Sequence, residues 1–127
     1  MERGVRGLYI YIFHLIFNFM TKNFWEVVDK VIRESDIVIE VLDARFIEET
    51  RNKELERKTI RSGKRIIYAI NKADLIKEYV DDIKLGLENY VFISAKNNLG
   101  TTRLRALIKN LSQKRPLYIG VVGYPNT

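Results

Sequence analysis

Apolar residues along the chain alternate between helical spacing, every three or four positions, and the continuous β-branched runs of buried strands. This alternation predicts helices and strands in turn. Polar residues and glycines between the segments supply caps and turns, as at Asn52 before a charged helix and at Ser62-Gly63 after it. The predicted strands are Asp36–Leu42, Arg65–Ile70, Tyr90–Ile93 and Leu117–Val122. The predicted helices run from Asn23 to about Glu34, from Asn52 to Ser62, along an apolar stripe from Ile76 to Leu87, and from Thr101, as the capping residue, through Leu111.

Strands that alternate with amphipathic helices form a mostly parallel sheet with helices on both faces. The sequence therefore predicts an α/β fold with about four parallel strands. Ligands of such sheets bind just beyond the carboxyl ends of the strands. Polar motifs follow three of the predicted strands, so we expect a functional site at this edge of the sheet.

The first twenty residues differ in composition from the rest. Leu8–Phe17 is apolar apart from His14, and Arg3 and Arg6 precede it as in a signal peptide. The run is shorter than the roughly 20 apolar residues of a membrane helix, so stable membrane insertion is not expected. Residues 1–20 are predicted to be an apolar extension that packs or lies on the surface. A secretory or anchoring segment, and sequence upstream of a natural start at Met20, are the alternatives. Residues 21–127 are predicted to form the domain.

Composition narrows the class of protein. A length of 127 residues, 46% of them apolar and 30% charged, indicates one globular domain rather than a disordered chain. The absence of Cys excludes a disulfide framework, a thiolate metal site and a cysteine nucleophile, and the lone His14 excludes a histidine-rich metal centre. The formal net charge of +6 favours polyanionic partners such as nucleic acid or phosphates.

Asn71-Lys72-Ala73-Asp74 directly follows the second predicted strand. Recognition of guanine requires an acceptor for the ring N1–H and the exocyclic amine together, which one carboxylate supplies, and an amide suits the O6 and N7 edge. Asp74 and Asn71 have these chemistries, so the motif predicts a guanine site. A strand-exit turn in which Asp74 caps a helix is the alternative.

Ser94-Ala95-Lys96 ends the third predicted strand. A backbone N–H near Ala95 is expected to bond the guanine O6, while the stems of Lys72 and Lys96 flank the base. An ordinary loop that enters a helix is the alternative.

Gly123-Tyr124-Pro125-Asn126-Thr127 follows the fourth predicted strand. It fills the first five positions of the phosphate-loop pattern G-x-x-x-x-G-K-[ST], in which backbone N–H groups cradle phosphates. A plain turn is the alternative.

The order of these motifs, guanine motifs first and phosphate loop last, resembles that of the circularly permuted GTPases of the ribosome-assembly type, the YlqF/YawG-like group. The likeness covers about Met20 to Thr127 and ends inside the phosphate loop. Phe46-Ile47 departs from the group, which commonly has a Pro there. Further matching residues are Trp25, Val31-Ile32, Ser35-Asp36, Val41-Leu42-Asp43-Ala44-Arg45, Arg51-Asn52 and Leu55-Glu56.

The resemblance implies a P-loop GTPase-like sheet, circularly permuted and truncated, that binds GTP and GDP during large-subunit ribosome assembly in the cytoplasm. It implies magnesium as a cofactor of the complete protein, and potassium held at Asn126. The residues that it implies in nucleotide binding are Asn71, Lys72, Asp74, Ser94, Ala95, Lys96, Gly123, Tyr124, Pro125, Asn126 and Thr127.

The phosphate-loop pattern stops before its Lys and its magnesium-binding hydroxyl. Phosphoryl transfer depends mostly on positioning and on charge stabilisation by these groups and the metal. We therefore expect weak GDP binding and little hydrolysis by these 127 residues. The resemblance also implies two strands outside Leu117–Val122, so this strand is expected at an uncovered edge of the sheet.

Basic residues of the second predicted helix are candidates for binding the backbone of ribosomal RNA. They are Lys53, Arg57 and Arg61, four positions apart, with Lys64 and Arg65 beyond. Glu54 and Glu56 lie between them, so a solvated charged face is the alternative. A docking module for RNA or a ribosomal protein that binds no nucleotide therefore stays open beside the GTPase hypothesis.

Overall fold

The computed structural model describes residues 2–5, 8–12, 24–76, 86–113, 117–124 and 127. The strands are β1 (Glu2–Val5), β2 (Leu8–Ile12), β3 (Ile37–Asp43), β4 (Arg65–Asn71), β5 (Tyr90–Phe92) and β6 (Leu117–Gly123). The helices are α1 (Phe24–Glu34), α2 (Ile47–Thr50), α3 (Lys53–Arg61) and α4 (Thr101–Ser112), with a 3-10 turn at Ala73–Leu75. The strands form one sheet in the order β1-β2-β6-β3-β4-β5.

The four strands after α1 are all parallel, which confirms the predicted α/β fold. β3 pairs with β4 on one side and with β6 on the other, and β4 pairs with β5. The register sets Asp43 opposite Asn71, and Val41 opposite Gly123. The carboxyl ends of three neighbouring strands therefore reach the same edge of the sheet.

Helices cover both faces of this sheet, as the alternation of strands and helices predicts. On one face Val31 of α1 and Leu55 of α3 pack against Val38 and Val122. On the other face Ile108 of α4 belongs to a cluster with residues of β3, β4 and β6. α1 lies so close to β6 that a Cβ on Gly120 would stand 2.6 Å from Val31 Cγ1, which explains the glycine at this position.

The expected uncovered edge at Leu117–Val122 is wrong. β2 pairs in parallel with β6 from Leu8 opposite Leu117 to Ile12 opposite Val121, and β1 pairs antiparallel with β2. An edge strand presents a row of unpaired N–H and C=O groups. In β6 these groups are paired because β2 lies along its edge. Residues 1–20 thus contribute two strands to the sheet.

Three local features also differ from the sequence prediction or lie outside it. The residue before α4 that takes the N-cap position is Gly100, with a left-handed φ of 81°, and Thr101 is the first helical residue. The short helix α2 follows Phe46 and was not predicted. Most of the predicted Ile76–Leu87 helix lies outside the described residues. No described helix has the length and apolar content needed to cross a membrane.

Candidate functional site

Asn71, the last residue of β4, joins the three loops that carry the predicted motifs. Its Oδ1 accepts from the backbone N–H of Ala95 at 3.0 Å, and its Nδ2 donates to the carbonyl oxygen of Thr127 at 2.9 Å. An amide suits this place because it offers a donor and an acceptor together. The sequence predicts that the Asn71 amide and the Ala95 N–H contact the base. In the structure these groups bond to each other, so Asn71 positions the two loops.

Asp74 lies exposed in the 3-10 turn after β4, beside the buried hydroxyl of Ser94. Ser94 Oγ donates to Asp74 Oδ1 at 2.7 Å and accepts from the N–H of Asn97 at 3.2 Å. A hydroxyl can do both at once. The structure gives no other hydrogen bond to Asp74 among the described residues, so one oxygen is oriented by Ser94 and the other is available to a ligand.

Lys72 of the guanine motif is held by Asp43 at the end of β3. Lys72 Nζ donates to Asp43 Oδ2 at 3.3 Å, and Lys72 has a left-handed φ of 63°, which is uncommon outside glycine. Arg45 donates to both oxygens of the same carboxylate, from Nε at 3.1 Å and from Nη2 at 2.9 Å. These hydrogen bonds of Arg45, with help from Lys72 and against the effect of burial, lower the pKa of Asp43 to about 2.

Asp43, only 4% exposed, is thus a positioning residue. From the sequence it stands out only as part of the family resemblance, with no role of its own. The signal available in the sequence was an acidic and a basic residue two positions apart, directly after a buried strand. The ion pair with Lys72 joins residues 29 positions apart and could not be deduced from local pattern.

The described ends of the phosphate-loop motif are hydrogen-bonded to each other. The N–H and Oγ1 of Thr127 donate to the carbonyl oxygen of Tyr124 at 3.3 and 2.7 Å. A Cβ on Gly123 would stand 3.2 Å from the Cβ of Val41, so glycine lets the loop pass close to β3. Pro125 and Asn126 lie outside the described residues, and the potassium role of Asn126 stays a prediction.

A buried polar cluster beneath α3 supports this loop from the side. Glu40 Oε1 accepts from the backbone N–H of Asn52 at 2.7 Å, and Asn52 Nδ2 donates to the hydroxyl of Tyr124 at 3.4 Å. Burial raises the pKa of Glu40 to about 9, the hydrogen bond from Asn52 opposes the rise, and the nearby Glu56 charge adds to it. Glu40 is therefore neutral near pH 7, and it fixes the start of α3.

Glu56 is the ionised partner in the same cluster. Burial would raise its pKa, but hydrogen bonds, first of all from Arg51, lower it. Arg51 Nη2 donates to Glu56 Oε1 at 2.6 Å, and the Tyr68 hydroxyl donates to the same oxygen at 2.9 Å. The sequence signal for this cluster was the single polar residue, Glu40, within an otherwise apolar strand.

The basic residues predicted to bind RNA on α3 lie among carboxylates. Arg57 pairs with Glu54 at 2.6 Å, and Lys53 pairs with Glu48 at 3.8 Å. Lys64 Nζ donates to the carbonyl oxygen of Arg33 at 3.4 Å. The structure gives Arg61 and Arg65 no ion pair within its described residues, and both are exposed. This compensation favours the alternative of a solvated charged face.

A parallel α/β sheet whose carboxyl edge gathers a guanine-type motif and the start of a glycine loop is compatible with a P-loop GTPase-like domain. Comparison with known proteins agrees with this class. The chain is 47% identical over 106 residues to an uncharacterized GTP-binding protein of Methanocaldococcus jannaschii, across 80% of this chain and 28% of that protein.

Two yeast proteins are also similar. Nucleolar GTP-binding protein 2 of Saccharomyces cerevisiae is 35% identical over 119 residues, across 84% of this chain and 24% of that protein. Nuclear GTP-binding protein NUG1 of the same yeast is 32% identical over 128 residues, across 83% and 25%. No protein-family model matches the chain. The chain is thus related to GTP-binding proteins, and it spans about a quarter of the length of these relatives.

Proposed function

We propose that this chain forms the guanine-nucleotide-binding part of a circularly permuted GTPase of the YlqF/YawG-like group, acting in assembly of the large ribosomal subunit. The observation that supports this most is the double hydrogen bond of Asn71 to Ala95 and Thr127. It brings together guanine motifs that come early in the chain and a phosphate-loop motif that comes last. The names of the relatives, all GTP-binding proteins, support the same nucleotide.

In this proposal Asp74 recognises the base. Its carboxylate accepts from the guanine N1–H and exocyclic amine, and Ser94 fixes its orientation. Lys72, oriented by Asp43, and the exposed Lys96 flank the base with their aliphatic stems. Adenine presents no such pair of donors to a carboxylate, so guanine is selected.

The described residues do not by themselves make up a magnesium site. No group of three or more His, Asp or Glu residues within them is placed to hold a metal ion. Asp43 is already bound by Arg45 and Lys72. Magnesium therefore enters the proposal only as a cofactor of the complete protein, and potassium at Asn126 likewise.

We also propose that these 127 residues by themselves bind guanine nucleotide weakly and hydrolyse it little. Phosphate contacts dominate nucleotide affinity in P-loop domains, and the motif reaches only its fifth position at Thr127. The phosphate-loop lysine and the metal supply most of the charge stabilisation in phosphoryl transfer. The enzyme activity is assigned to the complete protein.

Ribosomal RNA, or the large subunit during its assembly, is the proposed partner. The words nucleolar and nuclear in the names of the yeast relatives support it, because ribosomes are assembled in the nucleolus. The archaeal relative is named for no compartment. The cytoplasmic location expected from the sequence stays a prediction.

The test is binding of a fluorescent GDP, with fluorescent ADP as the control ligand. It compares this chain with a chimera in which the chain continues into the remainder of the Methanocaldococcus relative. Asp74→Ala is the test variant in both proteins. Glu34→Ala is the matched control, because Glu34 is an exposed carboxylate at the end of α1, at the amino end of β3.

The proposal expects the chimera to bind GDP selectively, this chain to bind it weakly, and Asp74→Ala to abolish binding while Glu34→Ala changes nothing. Equal binding of ADP and GDP would remove Asp74 from base recognition. The docking module that binds no nucleotide would then be the better hypothesis, and unchanged RNA binding by Asp74→Ala would support it.

A further inference from the structure

The formal net charge of +6 comes entirely from the last third of the chain. Residues 1–88 contain sixteen basic and sixteen acidic side chains, whereas residues 89–127 contain six basic side chains and no acidic one. The six are Lys96, Arg103, Arg105, Lys109, Lys114 and Arg115. Three of them belong to α4, which lies on the face of the sheet opposite α1 and α3.

The cations of α4 have no acidic partner in the part of the chain that the structure describes. Arg103, Arg105 and Lys109 are all exposed. Every ion pair found among the described residues joins groups within residues 29–72. α3 and α4 are therefore both rich in basic residues, but within the described part of the chain the ion pairs are found on α3 and not on α4.

Part of the charge pattern of α4 works against the stability of the helix, although Lys109 in the last turn suits the helix dipole. Arg105 and Lys109 are one turn apart, and like charges at this spacing repel. Arg103 lies in the first turn, where the helix dipole disfavours a cation, and this turn has no acidic residue. A bound polyanion would relieve both effects, since it would neutralise the three cations together.

The other exposed residues of α4 indicate which polyanion fits. Among them are Thr102, Ala106 and Asn110, and Thr and Asn side chains commonly hydrogen-bond phosphate and sugar oxygens of nucleic acids. A protein interface has an apolar, often aromatic, core, and α4 exposes no large apolar side chain. α4 also has no aromatic residue to stack on a base.

We propose that α4 is an RNA-binding surface, in which Arg103, Arg105 and Lys109 contact the phosphate backbone of ribosomal RNA. The proposal rests on the proposed function only in the choice of ribosomal RNA as the source of the phosphates. α4 follows the loop of Ser94-Ala95-Lys96, so the bound RNA adjoins the candidate guanine site. This surface replaces α3 as the principal RNA contact.

The test measures binding of the full chain to a fluorescein-labelled transcript of large-subunit ribosomal RNA by anisotropy over a series of salt concentrations, without nucleotide. The test variant is Arg103→Gln/Arg105→Gln/Lys109→Gln. The matched control is Lys53→Gln/Arg57→Gln/Arg61→Gln, which removes the same charge from α3. Glutamine is a good helix former, and the urea midpoint of each variant verifies that it folds.

We expect the α4 variant to bind RNA at least about tenfold more weakly at 0.1 M salt. The slope of log K against log salt should become shallower by about 2 to 3, as the loss of three phosphate contacts requires. The α3 variant should change affinity less than about threefold. Replacing the two arginines by Lys should preserve the slope, because phosphate contacts need charge more than shape.

Equal losses in the two variants would show that net charge alone governs binding and would overturn the proposal, as would no loss in the α4 variant. If the wild-type chain binds polyglutamate more tightly than RNA, and the α4 variant loses that binding, the surface would be assigned to an acidic protein instead. Because the assay contains no nucleotide, failure of GDP binding leaves this result unaffected, and the two proposals can fail separately.

Discussion

Replacing Glu40 by Gln should make the protein more stable at neutral pH, although it removes a buried ionisable group. Glu40 is 2% exposed, and its Oε2 has no hydrogen-bond partner among the described residues. Gln has nearly the same shape and keeps an oxygen that accepts from the N–H of Asn52, the contact that the structure shows at 2.7 Å. The substitution therefore removes the titration while retaining the contact.

The magnitude follows from the pKa of Glu40, which burial raises from 4.5 to about 9. Between these values the folded protein keeps a proton that the unfolded chain releases, so this group makes stability fall as pH rises. The slope is about 1.4 kcal/mol per pH unit for one proton. At pH 7 the accumulated loss relative to pH 4.5 is about 3 kcal/mol, and Glu40→Gln has no such loss.

The assay is urea unfolding of the wild-type chain and the variant at several values between pH 5 and 8. The difference in free energy of unfolding, variant minus wild type, should rise with pH at close to the one-proton slope. Glu34→Gln, which changes an exposed carboxylate, should give a difference that does not vary with pH. Parallel curves for Glu40→Gln would show that Glu40 is ionised in the folded state and would refute the reasoning.

Three further outcomes test the site and the sheet. Asp43→Asn should lower stability by about 2 kcal/mol at pH 7, because Arg45 and Lys72 hold the carboxylate ionised, and the difference should vanish as pH falls from 3.8 towards 2. Asn71→Ala should cost about 1 to 3 kcal/mol in urea unfolding, since it removes two hydrogen bonds; an unchanged midpoint would contradict the bridging role. Deleting residues 1–20 uncovers β6 and should cause concentration-dependent self-association by light scattering, whereas a monomeric product would contradict this.

The parallel core was predictable because its strands are short apolar runs bounded by turn residues. Asn52 was predicted to begin α3 and does so, accepting from the N–H of Leu55 at 3.0 Å. Such signals are local, so a single sequence contains them. The short helix α2 escaped prediction because its four residues show no apolar period and no side-chain cap.

The sequence allowed a prediction of which motif residues lie at the carboxyl edge of the sheet, but not of the hydrogen bonds between them. Asp74 and Ser94 were both expected at the carboxyl edge, since motifs that follow neighbouring parallel strands meet there. The contacts of Asn71 with Thr127 and of Lys72 with Asp43 depend on strand order and register, which the sequence does not state. The assignment of the Asn71 amide to a ligand stays a prediction, and the folded chain also uses this amide to hold two loops together.

The N-terminal strands bear on the proposed circular permutation, because they pair with the edge of β6 at which the resemblance implies other strands. The resemblance implies two strands outside β6, and in the structure β2 and β1 occupy that side of the sheet. A strand can pair with one neighbour along each of its two edges. β6 pairs with β3 along one edge and with β2 along the other. β2 and a further strand therefore cannot both pair with β6. A strand placed outside β6 by the proposed permutation would therefore have to displace Leu8–Ile12 from this edge.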